Sequence, residues 1–566
     1  MNLNALNQAQ REAVTFFEKR PLLVWAGPGT GKTRVLTERI AFLIGEKGIS
    51  PGNILAITFT NLAAGEIAER IAAEFDVPPK VTTFHAWAYE IIRDVLGEKT
   101  PGLIDELDAF AIFKEGAHLL SKGTREIRRL FNEVCSLREN YPEATPEDNR
   151  IAAAYHIYKG LLYKYNVMDF DELLVRCMDL LGRDNLLKRI KEKWPHVLVD
   201  EFQDVNPIQF KIVETISTGY LTVIGDPNQS IYGFRGADPR AMDKFLSCFK
   251  DARIVRLDVA YRCHQEVLDC SSAIIAAGEG VAPSLRSQKG NGPKVVLMGF
   301  SKPKDEAKWI IDKIEAMSGA MSFETLNFGK GVQEGDSYDL SQIAILLRTR
   351  ASGSEIVAGL KRRGIPYVET RGTTVSQEPT ARLLARIIAI ARGENVDFHT
   401  KRLQEEAGIH EGTIRECVNS LENEDLTKCL ELLTTDQDDP LAGHLLRWLS
   451  SVPHPYLSSD VDFLDVNINA VHIMTIHGAK GLEFPIVFIP RCEEEILPMN
   501  GADEDEERRL LYVAMTRAEQ QLYITYCLHR KSPFLKGFPN EAYIEEILRP
   551  HGKRRRKKGP KQGSLF

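Results

Sequence analysis

The chain has 566 residues, 43% of them apolar and 27% charged. That is enough for three or four domains with cores that need no disulfide or metal staple. It excludes wholly disordered, collagen-like and coiled-coil classes. No apolar run is long enough to cross a bilayer, so no membrane span is expected, and the N-terminus lacks a signal-peptide pattern. The nine cysteines form no Cys-x-x-Cys pair, which points to reduced thiols in the cytoplasm and away from zinc or iron–sulfur sites. Net charge is −7, but the last fourteen residues hold seven Lys/Arg and no acid, which leaves −14 on the remainder. An acidic body argues against non-specific coating of nucleic acid and leaves room for a local basic channel.

Short apolar runs followed by helical spacing recur along the chain. Leu22–Ala26 precedes a glycine-rich turn and an amphipathic stretch to Gly45; Ile54–Ile57 precedes another over 61–75. Strand signal is absent over roughly 90–190, where helical spacing dominates, and returns at Val197–Val199 and Leu221–Ile224. A second series starts near Ile254 and continues through Val295–Leu297, Ile343–Leu347 and Ile486–Ile489. It is broken by a polar, helical stretch over 381–465. Such alternation predicts an α/β fold with two doubly wound parallel sheets, each core carrying a helical insertion. The expected spans are 1–90 with 191–253 for the first core and 91–190 for its insertion. The second core takes 254–380 with 466–550, its insertion 381–465, and a disordered basic tail 551–566.

Ala26-Gly27-Pro28-Gly29-Thr30-Gly31-Lys32-Thr33 follows a strand and opens a helix. Glycines there let backbone N–H groups turn onto phosphate oxygens at a helix N-terminus. Lys32 is placed to reach the β- and γ-phosphates and Thr33 to ligate Mg²⁺, which together read as a P-loop. Val199-Asp200-Glu201-Phe202-Gln203-Asp204 adds two carboxylates at a strand's C-terminal end. Asp200 is expected to hold Mg²⁺ through water, and Glu201 to polarise the attacking water.

Around this pair the sequence resembles the UvrD/Rep group of superfamily 1 DNA helicases over nearly its whole length. The blocks, in family order, are Leu6-Asn7-x-x-Gln10-x-x-Ala13, the P-loop, Thr58-Phe59-Thr60-Asn61, Thr83-Phe84-His85 and Met168–Asp171. Then follow Asp200–Asp204, Gly225–Tyr232, Tyr261-Arg262, Thr475–Phe484 and Tyr512–Ala518. The resemblance implies two RecA-like cores and ATP with Mg²⁺ as cofactors. Gln10, Arg34 and Tyr261 would handle adenine; Gly481 and Glu483 would lie at the nucleotide, Glu483 on the ribose. Gln229 would sense the γ-phosphate, and Arg262 and Arg517 would act as arginine fingers from the second core. Phe59, Tyr232 and Phe234 would stack bases, and Asn61, His85, Arg235, Arg348 and His477 would contact the DNA strand.

This sequence departs from the family at Leu62 (usually Lys), at Ala260 and Cys263 beside Tyr261-Arg262, and at Gly478. Its second insertion, 381–465, is short for the family, and no RecB-like nuclease domain is expected after Arg517. The terminal Gln562-Gly563-Ser564-Leu565-Phe566 resembles peptides that hook sliding clamps, with Gln562, Leu565 and Phe566 as the contacts. The basic run before it reads as a tether to phosphate backbones. The expected activity is a nucleoid-associated ATP-dependent helicase moving 3′→5′ on single-stranded DNA. It would act at single/double-strand junctions in repair or replication, without a membrane partner. The alternatives are a translocase that strips proteins while unwinding weakly, and a clamp-tethered scaffold with a regulatory ATPase.

Overall fold

The computed structural model describes residues 3–118, 120, 123–140, 149–233, 236–319, 337–369, 379–423, 425–433 and 468–548. The first core opens with β1 (Leu22–Ala26), β2 (Ile54–Thr58) and β3 (Lys80–Thr83); β4 (Gly102–Leu103) and β5 (Val167–Met168) pair with each other at the base of the first insertion. β6 (His196–Val199), β7 (Tyr220–Gly225) and β8 (Arg253–Leu257) complete a six-stranded sheet of order β3-β2-β6-β7-β1-β8. Two short strands, β9 (Val259–Ala260) and β10 (Arg286–Ser287), pair beyond it. The second core holds β11 (Val295–Phe300), β12 (Ile343–Leu347), β13 (Tyr367–Glu369), β14 (Val471–Thr475), β15 (Phe484–Ile489), β16 (Ala518–Cys527) and β17 (Tyr543–Leu548). Their order is β13-β14-β12-β15-β16-β11-β17.

All pairings in both large sheets are parallel. Parallel strands are covered on both faces, which is why they read as continuous apolar runs. Alternate residues go to opposite sides. Leu22, Val24, Ile54 and Ala56 pack beneath one layer of the first sheet, and Leu23, Leu55, Ile57 and Val223 beneath the other. The second sheet divides likewise, Ala344, Leu346 and Val487 facing one cluster and Ile343, Ile345 and Phe488 the other.

The second series was expected to start near Ile254. Instead 253–257 is the edge strand of the first sheet, with Leu22 opposite Arg253 and Ala26 opposite Leu257. Only Val255 and Leu257 of this strand are buried, as suits an edge with one covered face, and a short apolar run does not say which sheet it joins. The first insertion also divides. Helices Glu106–Ala117, Thr124–Glu139 and Asn149–Lys164 build their own core around Ile112, Phe131 and Tyr158, whereas Phe170–Leu181 packs into the first sheet's core.

In the second insertion, helices Pro379–Ala391, Val396–Ala407, Glu411–Glu422 and Leu426–Leu433 surround Leu384, Ile387, Leu403 and Cys417. This bundle docks on the first insertion. Arg382 donates to Asp105 at 2.9 Å and to Asp108 at 2.8 Å, Arg386 donates to Asp108 at 2.8 Å, and Phe398 joins the first insertion's core. Among the described residues no helix is long and apolar enough to cross a membrane.

Candidate active site

Because every strand of the first sheet points the same way, their C-terminal ends share one edge, the edge at which open α/β sheets bind ligands. The P-loop leaves β1, Phe59 follows β2, Asp200 follows β6 and Asp226 follows β7. In the P-loop, Gly29 (φ 67°) and Gly31 (φ 84°) occupy left-handed conformations. A Cβ on Gly29 would lie 2.6 Å from Arg262 Cβ, so glycine is required by space as well as by backbone. Thr30 Oγ1 donates to the Gly27 carbonyl at 2.8 Å. Gln10, fully buried, donates through Nε2 to the Thr30 carbonyl at 2.9 Å.

Gln10 sits in helix Gln8–Thr15, whose N-cap Asn7 donates to the Tyr261 hydroxyl at 3.0 Å. The Tyr261 backbone N–H in turn donates to the Gly29 carbonyl at 2.8 Å. Gln10 and Tyr261 therefore meet the P-loop together, with Arg34 exposed in the first turn of helix Lys32–Gly45. Asn7 belongs to the first motif block but was given no role there, and Arg39 lies outside every block. Arg39 donates to the carbonyls of Ala13, Val14 and Phe16, which the end of helix Gln8–Thr15 leaves without helical partners. Burial lowers its guanidinium to about 10.

Lys32 Nζ lies 3.4 Å from Glu201 Oε1 and 3.3 Å from Gln229 Oε1, so the P-loop lysine already touches the two residues expected to act as base and as γ-phosphate sensor. Glu201 holds a left-handed backbone (φ 49°), a strained conformation of the kind found at functional positions. Burial pushes its carboxyl up, but Lys32, Lys480 and the Gln203 amide outweigh this and hold it at about 2. It is thus ionised at neutral pH, the state in which a carboxylate can accept a proton.

Asp200 shows the reverse balance. Burial, then the neighbouring Glu201 charge, push it up to about 7, and its Oδ1 is buried with no hydrogen-bond partner among the described residues. A carboxylate with an orphaned buried oxygen, a hard donor short of positive charge, fits a divalent cation. Gln229 is fixed by donating to Asp226 at 2.8 Å. Lys480 of the second core ion-pairs with Asp204 and donates to the Gln229 carbonyl at 2.8 Å, which makes it one bridge between the cores, a role the sequence did not assign to it. The signal was in the Thr475–Phe484 block, where Lys480 stands between Gly478 and Gly481.

The arginines enter from the other core. Arg262 donates to Glu483 at 2.6 Å and to the Thr516 carbonyl at 3.4 Å. Arg517 is buried and donates to the carbonyls of Val513 (3.0 Å) and Leu482 (3.2 Å). Burial, then Arg262, lower it to about 9. Both guanidiniums are satisfied by their own core, and a phosphate arriving in the cleft would compete for them. Gly481 (φ 86°) turns the chain toward Glu483.

Of the residues expected to meet DNA, Phe59 and Tyr232 stack on each other, centroids 5.0 Å apart and planes 18° from parallel. Lys480 Nζ lies 5.0 Å from the Tyr232 ring, and the Tyr232 hydroxyl donates to the His477 carbonyl at 3.4 Å. Asn61 starts helix Asn61–Ala72, capped by the Thr60 hydroxyl. His85 meets Phe170 edge-on at 5.5 Å, and burial lowers it to about 4, leaving it neutral. Arg348 forms a bidentate pair with buried Glu507 at 2.6–3.1 Å and is committed within its own core. Phe234 and Arg235 lie outside the described residues, as do Gln562, Leu565 and Phe566.

Residues 6–250 match the UvrD/REP helicase N-terminal domain, and residues 255–439 and 444–529 the UvrD-like helicase C-terminal domain. The ATP-dependent DNA helicase PcrA of Staphylococcus aureus (strain Mu50) is 30% identical across 97% of this chain and 86% of its own length. PcrA of Staphylococcus epidermidis (strain ATCC 12228) is 28% identical across 98% of this chain and 89% of its own. With a P-loop core and an arginine-bearing core matched in that order along the chain, the protein belongs to the UvrD/Rep family of helicases.

Proposed function

We propose that this protein is an ATP- and Mg²⁺-dependent DNA helicase that moves 3′→5′ on single-stranded DNA and opens duplexes at single/double-strand junctions. The observation that carries the reading is one loop with two faces. Gln229 touches the P-loop lysine at 3.3 Å, and a little further along the same loop Tyr232 stacks against Phe59. Nucleotide state and base stacking are therefore linked through a few bonds of backbone.

ATP would sit with its adenine between Gln10, Arg34 and Tyr261, its ribose near Gly481 and Glu483, and its phosphates in Ala26–Thr33. Thr33 and Asp200 would hold Mg²⁺, which when bound neutralises charge between the β- and γ-phosphates. Glu201, ionised and oriented by Gln203, would accept the proton of the attacking water while Gln229 positions it. Arg262 and Arg517 would exchange their carbonyl and carboxylate partners for γ-phosphate oxygens, drawing the second core onto the first. Closing and reopening on each turnover would move Tyr232 relative to Phe59, and with Asn61, His85, His477, Phe234 and Arg235 advance the strand. Stacking tolerates any base, which suits a motor that reads no sequence.

Direction follows from the family resemblance, as do a place in repair or replication and a nucleoid location in the cytoplasm. The basic tail would tether the acidic body to DNA, and Gln562, Leu565 and Phe566 would hook a sliding clamp. We infer the same domain division as the sequence implied, with 253–257 moved to the first core. The short second insertion favours a second reading, a translocase that strips bound proteins and unwinds weakly. The test is ATP-driven strand displacement on matched duplexes with a 3′ or a 5′ single-stranded tail. Displacement from the 3′ tail alone is expected. Displacement from the 5′ tail would overturn the direction. No displacement from either, with DNA-stimulated hydrolysis intact, would favour the strand-clearing reading.

A further inference from the structure

The loop that carries Tyr232 leaves the first core at Gly225 but is gripped by the second. Ile231, Tyr232 and Ala237 pack into the second core's hydrophobic cluster with Met474, Ala479 and Leu511. Helix Glu504–Met515, packed on helix Gln265–Ala276 of that core, bonds the loop twice. Arg509 Nε donates to the Ser230 carbonyl at 2.8 Å, and Glu506 Oε1 accepts the Gly233 N–H at 3.0 Å. A Cβ on Gly233 would lie 3.0 Å from the Glu506 carboxylate, so the approach is close. Glu506 and Arg509 are three apart and share one face of the helix. One holds an acceptor of the loop and the other a donor, which fixes the loop's orientation as well as its position. Charge-assisted bonds of this kind are the strong ones.

At its other end the same helix runs into Thr516-Arg517 in the nucleotide cleft. Its twelve residues rise about 18 Å, a stiff rod between the two places. The Phe59–Tyr232 stack is closed, with centroids 5.0 Å apart. A base between the rings needs roughly two stacking separations of about 3.4 Å, so Tyr232 has to move by about 2 Å.

We propose that Glu506 and Arg509 are positioning residues that carry the movement of the Arg517-bearing helix to Ser230–Gly233, so that closure on ATP shifts Tyr232 against Phe59. The proposal rests on the reading above that this pair stacks bases. The rod, its two bonds and the loop form one mechanical train, and removing the bonds leaves hydrolysis intact while loosening its link to the strand.

The test uses the full chain and its Glu506→Ala, Arg509→Ala and Glu506→Gln variants. The Gln side chain keeps an oxygen that accepts the Gly233 N–H. Measured quantities are hydrolysis without DNA, hydrolysis with oligo(dT), nucleotides translocated per ATP, and thermal midpoint. In both alanine variants hydrolysis without DNA and the midpoint should stay as in the wild type. Stimulation by oligo(dT) and nucleotides moved per ATP should each fall about tenfold, the factor matching one charge-assisted bond at its weaker end. Glu506→Gln should recover most of both. Unchanged coupling in the alanine variants would overturn the proposal. So would a loss that extends to hydrolysis without DNA, or one that Glu506→Gln does not rescue. If the wild type itself is not stimulated by oligo(dT), the stacking reading fails, and this inference falls with it.

Discussion

Replacing Arg39 by Met removes the guanidinium and keeps an apolar stem of similar reach. Arg39 donates at 2.8–3.1 Å to the carbonyls of Ala13, Val14 and Phe16, and at 2.9 Å to Thr222 Oγ1. Hydrogen bonds to a charged group contribute about 1.5–3 kcal/mol each. Against this stands the burial that lowers the guanidinium from 12.5 to about 10, a penalty of about 3 kcal/mol. Nη1 has two hydrogens to share among the three carbonyls, so with Nε the side chain makes three full bonds, and with the weaker bond value the balance favours the native arginine by about 1 kcal/mol. The loss falls on helix Gln8–Thr15, whose last carbonyls are left buried without donors. Amide hydrogen exchange over residues 8–15 reads that local opening. Since this helix carries Gln10 and is capped by Asn7, KM for ATP should rise about tenfold, with discrimination against GTP reduced and kcat changed less. Native exchange protection in Arg39→Met would refute the energetic argument. Lost protection with unchanged KM would refute the link from this helix to the proposed adenine site.

Glu201→Gln should bind ATP with native affinity yet lower turnover at least about a hundredfold, as loss of a general base does; steady-state hydrolysis near wild type would overturn that assignment. Gly29→Ala meets a positive φ and a Cβ contact of 2.6 Å, so nucleotide binding, read by a fluorescent ATP analogue, should weaken by more than about tenfold. Asp108→Asn takes from buried Arg386 a carboxylate that it bonds, a loss of about 1.5–3 kcal/mol at the junction of the two insertions. Labels on 106–117 and 396–407 should then report a broadened distance distribution, and an unchanged one would sink the idea that this pair pins the second insertion. Burial pushes Glu306 up to about 7 against an ordinary value of 4.5. The folded state thus favours the neutral acid. Its contribution is fully present below 4.5 and fades as pH rises through 7, about 3 kcal/mol across that window. Melting temperatures from pH 4.5 to 8 should fall less for Glu306→Gln than for the wild type; parallel profiles would refute the shift.

Local chemistry made much of the nucleotide site readable in one dimension. A glycine-rich turn between an apolar run and a helix has few uses, and Gly29 and Gly31 do adopt the left-handed conformations that such a turn demands. Asp200 and Glu201 were readable as a pair because they end an apolar strand. Their opposite charge behaviour was not, since it depends on Lys32 and Lys480, which are remote from them along the chain on either side. The family resemblance put Arg348 among the contacts to the DNA strand. Its bidentate pairing with Glu507, distant in sequence, appears only in three dimensions.

The sequence by itself therefore determined the parallel α/β class, the longer elements of each core and the glycine-rich turn between β1 and its helix, because each depends on neighbours within a turn or a strand; the two-residue strands β4 and β5, inside a stretch that reads as helical throughout, were not legible. Tertiary structure decided the rest. It set which sheet 253–257 joins, where the first insertion's own core ends, and how Arg382 and Arg386 lock one insertion to the other. It also decided that the loop bearing Tyr232 belongs mechanically to the opposite core. These are pairings between residues distant along the chain, set by burial and by the mutual satisfaction of charges, and no local pattern encodes which distant partner a buried group will meet.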